Sequence, residues 1–237
     1  ERMLTGFGYP VRREGAVAEL DGGGKLYATN IDVPADISSA TFFMVAAAIA
    51  PGSDVTLTHV GVNPTRIGVI NILQMMGADL ELTNHREVGG EPVADIRVRY
   101  APLHGIDIPE DQVPLAIDEF PALFVAAACA EGRTRLTGAE ELRVKESDRI
   151  KAMADGLTCL GIQAIPTPDG IDIQGGTLRA GEVDSLGDHR IAMSFAIASL
   201  RTQGNILIRN CNNVATSFPG FVALANSVGL KIVEEIR

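Results

Sequence analysis

The chain has 237 residues, 46% of them hydrophobic and 21% charged, and a formal net charge of −10. Such a length makes one large domain or two small ones, and such a composition belongs to a folded globule rather than a disordered segment. The negative charge excludes general nucleic-acid binding, since nothing would neutralise an extended phosphate backbone, but a small anionic substrate answers to local field instead.

Residues 1–34 fit no repeat and read as a helix end followed by a hairpin, with Asp21-Gly22-Gly23-Gly24 as its turn. Because the sequence enters helix-like residues directly from Glu1, the expectation is a piece of something longer. From residue 35 onward one pattern occurs three times. Each unit opens with a segment read as a short helix, apolar nearly all round and therefore buried: Ser38–Gly52, Glu119–Gly132 and His189–Leu200. A β-rich stretch follows in each: Val55-Thr56-Leu57, Thr134-Arg135-Leu136 and Ile206-Leu207-Ile208. A second, more amphipathic helix then ends in Met76-Gly77-Ala78, Leu160-Gly161-Ile162 or Val228-Gly229-Leu230, where glycine suits a left-handed position just past the helix. Alternating strands such as Asp95–Arg99 and Gly170–Ile173 close the units. The glycines recur after 84 and 68 residues, too long a period for the familiar solenoids. The fold expected is α/β, three units closing around shared buried helices.

Cys129, Cys159 and Cys211 have no metal-ligand spacing and read as buried, reduced thiols of a cytoplasmic protein. No signal peptide is visible, and the longest apolar stretch, Phe42 to Pro51, falls well short of the roughly 20 residues a membrane span needs.

Chemistry concentrates in the turn before the second helix of the middle unit. Leu142-Arg143-Val144-Lys145-Glu146-Ser147-Asp148-Arg149-Ile150 places five charges of both signs in seven residues. Lys145 and Arg149 share a face if both are helical. Ser147 is a plausible N-cap, and the free N–H groups of the helix start attract an anion. Glu146 and Asp148 are proton carriers or orienters of the cations. The same turn reads Asn63-Pro64-Thr65-Arg66 in the first unit, where Asn63 and Arg66 serve the turn, and Ala215-Thr216-Ser217-Phe218-Pro219 in the third, with Thr216 or Ser217 as cap. Arg190 opens an otherwise apolar helix and suits bidentate capture of a carboxylate or phosphate. His189 beside it either carries a proton or caps. Asp118 is either an N-cap or a site carboxylate, and Ser38 and Ser39 read as caps of the first buried helix.

Together, Ile117-Asp118-Glu119-Phe120-Pro121, Glu141–Arg149, Gly187-Asp188-His189-Arg190-Ile191-Ala192-Met193 and Ala215–Pro219 resemble the 5-enolpyruvylshikimate-3-phosphate synthases over the whole length. The resemblance implies an inside-out α/β barrel domain of three βαβαββ units at 35–237, with residues 1–34 as the tail of a preceding domain. It implies enolpyruvyl transfer from phosphoenolpyruvate to the 5-hydroxyl of shikimate 3-phosphate by addition and elimination, with no metal and no cofactor. Asp118 then matches the general base that also touches the shikimate ring, and Lys145 a lysine that binds shikimate 3-phosphate. Arg149 and Arg190 match arginines that hold phosphoenolpyruvate, and Glu146 the glutamate that moves the proton at the methylene. His189 and Thr216 are further candidates. Many members have lysine where Thr216 stands and asparagine where Glu141 stands, so the chain resembles the variant subgroup that includes glyphosate-tolerant bacterial enzymes.

The family's N-terminal lysine, serine and arginine, a further phosphoenolpyruvate-binding arginine and a Ser-Ser-Gln or Ser-Ala-Gln motif have no counterpart here. The expectations are that this polypeptide alone binds weakly and does not turn over. Its partners would be the two small-molecule substrates and the missing N-terminal domain, with no nucleic acid and no membrane. Lack of the family's first strand would leave an open sheet edge. Two other readings stand beside this one: enolpyruvyl transfer to a nucleotide sugar, and a non-catalytic anion-binding domain.

Overall fold

The structure, a computed structural model, describes residues 1–235. The first 34 residues lie largely in solvent. Helix α1 (Arg2–Gly6) precedes a hairpin of β1 (Arg12–Glu14) and β2 (Val17–Glu19). Its turn falls at Gly15 and Ala16, not at Asp21–Gly24: Gly15 supplies φ +57°, while Glu14 pairs with Val17. A two-residue loop with a left-handed glycine suits the strand twist better than the longer Gly-rich run.

The first unit comprises α2 (Ile37–Ile49), β3 (Asp54–Gly61), α3 (Gly68–Met75), β4 (Asp79–Val88) and β5 (Glu91–Arg99). The second comprises α4 (Phe120–Cys129), β6 (Arg133–Leu136), α5 (Arg149–Cys159), β7 (Gln163–Thr167) and β8 (Gly170–Gln174). The third runs through β9 (Arg179–Asp184), α6 (His189–Ala198), β10 (Gln203–Arg209), α7 (Asn213–Ser217) and α8 (Phe221–Ser227).

Each buried helix is flanked by parallel extended segments. Ala35 bridges Val60 across α2, His104 and Asp107 bridge Glu131 and Arg135 across α4, and β9 pairs in parallel with β10 across α6. The first two units then add an antiparallel hairpin, giving strand orders β3-β5-β4 and β6-β8-β7. The third unit departs from the pattern. Among the described residues β10 pairs with β9 alone, and Lys231–Glu235, which follow Gly229 as β4 follows Gly77, form no strand. In the first two units the middle strand of the hairpin carries the outer one, and among the described residues no such strand adjoins β10.

Helices α2, α4 and α6 pack on one another at the centre. Their Ala, Val, Ile and Phe side chains are buried on every face, as helices without a polar side must be. Edge-on contacts of Phe42 with Phe221 and Phe43 with Phe218, ring centres 6.1 and 6.2 Å apart, close the third unit onto the first. Gly77, Gly161 and Gly229 all have positive φ (+89°, +86° and +113°), so the repeated glycines do end the second helices in the left-handed conformation. The first turns of α4, α5 and α6 converge at one end of the domain.

Candidate active site

Arg149 is the hub of that end. It is the first residue of α5, and its side chain is 1% exposed. Its Nε donates to Asp188 Oδ2 at 2.8 Å, Nη1 to Asp118 Oδ1 at 3.3 Å and Nη2 to Glu146 Oε2 at 2.5 Å. Three carboxylates from three segments thus share one guanidinium, whose planar fork of donors suits such a junction. Asp118 is held by two further cations: Lys145 Nζ lies 3.9 Å from Oδ1 and Arg190 Nη2 3.7 Å from Oδ2. Arg190 Nη1 also donates to the Asp118 carbonyl at 3.1 Å. Asp118, Glu146, Lys145, Arg149 and Arg190 therefore form one cluster, although up to 72 residues separate them in sequence.

Local geometry differs from expectation in five places. Asp148, not Ser147, caps α5, accepting from Lys151 N at 2.9 Å, while the Ser147 hydroxyl donates to Asp188 at 3.0 Å. Either residue type can cap, and Arg143 holds Asp148 in place at 2.6 Å. Lys145 is extended, not helical, so it shares no helical face with Arg149; both reach Asp118 because the turn folds over it. Asp118 is not a cap, since Glu119 holds that position in α4 and makes no capping bond there. Asp36, rather than Ser38 or Ser39, caps α2, and neither Thr216 nor Ser217 caps α8, which starts after Gly220.

Asp188 is the residue that sequence reasoning left out. It is 0% exposed, accepts from Ser147, Arg149 and the Arg190 backbone N–H, and caps α6. Burial alone would raise its carboxyl, but hydrogen bonding and charge from Arg149, with help from the Arg190 N–H and Ser147, bring it below the usual aspartate value. Its place within Gly187-Asp188-His189-Arg190 was the available signal.

His189 is half-buried at the start of α6, and desolvation together with Arg190 lowers its imidazole below the ordinary value, so it favours the neutral form. Thr216 lies exposed on α7, which Asn213 ties to the Gly187 carbonyl, and no hydrogen bond or ion pair joins Thr216 to the cluster among the described residues. Lys145 is engaged by Glu141, Nζ to Oε1 2.5 Å. Three cations (Lys145, Arg149, Arg190) thus face four carboxylates (Asp118, Glu141, Glu146, Asp188), one negative charge in excess. An anion entering at Arg149, whose three nitrogens all meet carboxylates, must displace one of them, and Glu146, 54% exposed, gives way more readily than Asp188. The cluster can bind anions and offers carboxylates able to give and take protons.

Cys129 is largely buried and its thiol is pushed up to about 12 by desolvation, whereas Cys159 is exposed, contrary to the expectation of three buried thiols. Among the described residues no group of His, Cys, Asp and Glu is arranged to hold a metal ion, and no helix is long and apolar enough to cross a membrane. Two clefts of about 310 and 440 Å³ lie against residues 1–18, away from the cluster.

The family model described as EPSP synthase (3-phosphoshikimate 1-carboxyvinyltransferase) matches residues 1–224. A 3-phosphoshikimate 1-carboxyvinyltransferase of Methylococcus capsulatus is 71% identical over 98% of the chain, which covers 53% of that protein. One from Nitrosococcus oceani is 68% identical, over 98% of the chain and 52% of its own length. The chain therefore spans about half the length of the curated relatives it matches. The solved EPSP synthase of Acinetobacter baumannii superposes with a TM-score of 0.95 at 61% identity, covering 97% of this chain and 54% of that one. The enolpyruvyl transferase NikO of Streptomyces tendae, at 17% identity and TM-score 0.71 over 96% of this chain and 51% of that one, shares the fold alone.

Proposed function

The chain belongs to the EPSP synthase family, and we propose that the protein it represents transfers the enolpyruvyl group of phosphoenolpyruvate to the 5-hydroxyl of shikimate 3-phosphate. The observation that supports this most is Asp118 gripped by Lys145, Arg149 and Arg190 with Glu146 on the same guanidinium. Two anionic substrates lying side by side need several fixed cations, and addition followed by elimination needs carboxylates that accept and return protons.

In this reading Lys145 leaves Glu141 for the phosphate of shikimate 3-phosphate. Arg149 and Arg190 hold phosphoenolpyruvate, whose carboxylate replaces Glu146 on Arg149. Asp118 contacts the shikimate ring and takes the proton of the attacking hydroxyl. Glu146, once released, protonates the methylene carbon and later removes a proton from the methyl group as phosphate leaves. His189 and Thr216 flank the phosphoenolpyruvate side. Residues 1–34 belong with a preceding domain and 35–237 form the catalytic half, working in the cytoplasm against a facing lobe that supplies the remaining cations.

Product analysis tests the reading. The chain is joined to the remaining half of its Methylococcus capsulatus relative and offered phosphoenolpyruvate with shikimate 3-phosphate or with a nucleotide sugar. Transfer to shikimate 3-phosphate is expected. Transfer to the nucleotide sugar, or binding without transfer to either acceptor, would replace this reading with one of the other two.

A further inference from the structure

Glu119 follows Asp118, and the two side chains part. Asp118 meets Lys145, Arg149 and Arg190, while Glu119 turns to the first unit, where its side chain is 3% exposed. The Ser38 hydroxyl donates to Glu119 Oε1 and accepts from Arg66 Nη2 at 2.8 Å. Arg66 Nη2 lies 3.8 Å from both Glu119 and Asp36.

The repeat gives this arrangement its meaning. Arg66 precedes α3 by two residues, and Arg149 opens α5. Each reaches the carboxylate at the start of the next unit's buried helix, Arg66 to Glu119 and Arg149 to Asp188. The start of α4 is thus held from two sides, through Glu119 to the first unit and through Asp118 to the second and third. The helix does not require Glu119 for capping. Desolvation disfavours the charge there and raises the carboxyl, against the opposing pull of Ser38, Arg190 and Arg66. A carboxylate kept in so unfavourable a place, next to the residue that meets the substrates, has a task other than stability.

Resting on the function proposed above, we infer that Glu119 is a positioning residue: its anchor on Ser38 and Arg66 fixes the backbone at 118–119 and so aims the Asp118 carboxylate at the reacting hydroxyl. Asp118 has three cations to choose among, and a freely turning 118–119 peptide would let it settle on any of them.

Two readouts test this. In the 237-residue chain, NMR of the Arg149 and Arg190 guanidinium N–H groups reports the Asp118 contact without substrate. Glu119→Ala moves these signals, whereas Glu119→Gln, whose amide oxygen still accepts from Ser38, leaves them near their wild-type positions. In the two-lobed enzyme Glu119→Ala lowers kcat about 10- to 100-fold with KM for phosphoenolpyruvate within about twofold, and Glu119→Gln recovers kcat to within about threefold, as for a reacting group misplaced by about 1 Å. Unmoved guanidinium signals, with kcat in both variants following the folded fraction alone, would overturn the inference. Signals that move as described while the wild-type enzyme transfers no enolpyruvyl group would uphold the positioning and sink the proposed function.

Discussion

Asp188→Asn keeps the shape of the side chain and removes one charge from the floor of the cluster. Asp188 is fully buried and serves three donors, one of them the Nε of an Arg149 that is itself 1% exposed. The amide cannot balance the guanidinium, which is left with Asp118 at 3.3 Å and the half-exposed Glu146. Breaking a buried pair from one side costs about 3–5 kcal/mol. In a domain of this size each kcal/mol moves Tm by about 2–4 °C, so the variant is expected to melt roughly 6–20 °C lower at neutral pH. The pH dependence has a definite sign. A carboxyl depressed in the folded state contributes stability above its unfolded value, near 3.8 for aspartate, and loses it as pH falls through the lower folded value. The gap between wild type and variant is therefore full at neutral pH and closes below that range. Adding Arg149→Met removes the stranded cation and recovers part of the loss, because Asp118 and Glu146 can hydrate. Scanning calorimetry of the three proteins decides the matter. A Tm within about 2 °C of wild type for Asp188→Asn at neutral pH would refute the buried-pair argument.

The other expectations are simpler. The 237-residue chain alone binds phosphoenolpyruvate weakly by calorimetry and does not turn over, because its site groups carry one excess negative charge and each lost charged contact costs about 1.5–3 kcal/mol; normal turnover would contradict this. The edge of β10 that no strand covers among the described residues is expected to drive concentration-dependent self-association, and sedimentation showing a clean monomer at high concentration would count against it. A thiol reagent at mildly alkaline pH labels exposed Cys159 quickly and Cys129 hardly at all, since burial pushes the Cys129 thiol up to about 12; equal rates on peptide mapping would show that α4 opens readily.

Much of the architecture was legible in the sequence because the repeat carries its own markers. Helices apolar on all sides can only be central, and glycine after a periodic run ends a helix whatever packs around it. The run Lys145–Arg149 was legible as chemistry but not as geometry. Ser147 and Asp148 are both good caps one residue apart, and the choice was made by Arg143, itself fastened to the Thr167 and Pro168 carbonyls of the β7–β8 turn. The Ser38–Glu119 bond joins residues 81 apart, each at the start of an apolar helix where a cap is the ordinary reading. Only the stacking of α2 on α4 brings them together. That the third unit shows no hairpin among the described residues was not legible, since the outer strand of each hairpin depends on the middle one, a relation that residue patterning along one segment does not contain.

The most direct test of the central claim is the isotopic content of the product made by the two-lobed enzyme in D2O. In the proposed mechanism, protonation of the methylene carbon by Glu146, in exchange with solvent, and later loss of a proton from the resulting methyl group would leave deuterium in the vinyl group of the product. Mass spectrometry is expected to show that deuterium, and Glu146→Gln to slow its appearance together with turnover. A vinyl group that keeps both of its original protons through full turnover would contradict addition and elimination at this cluster.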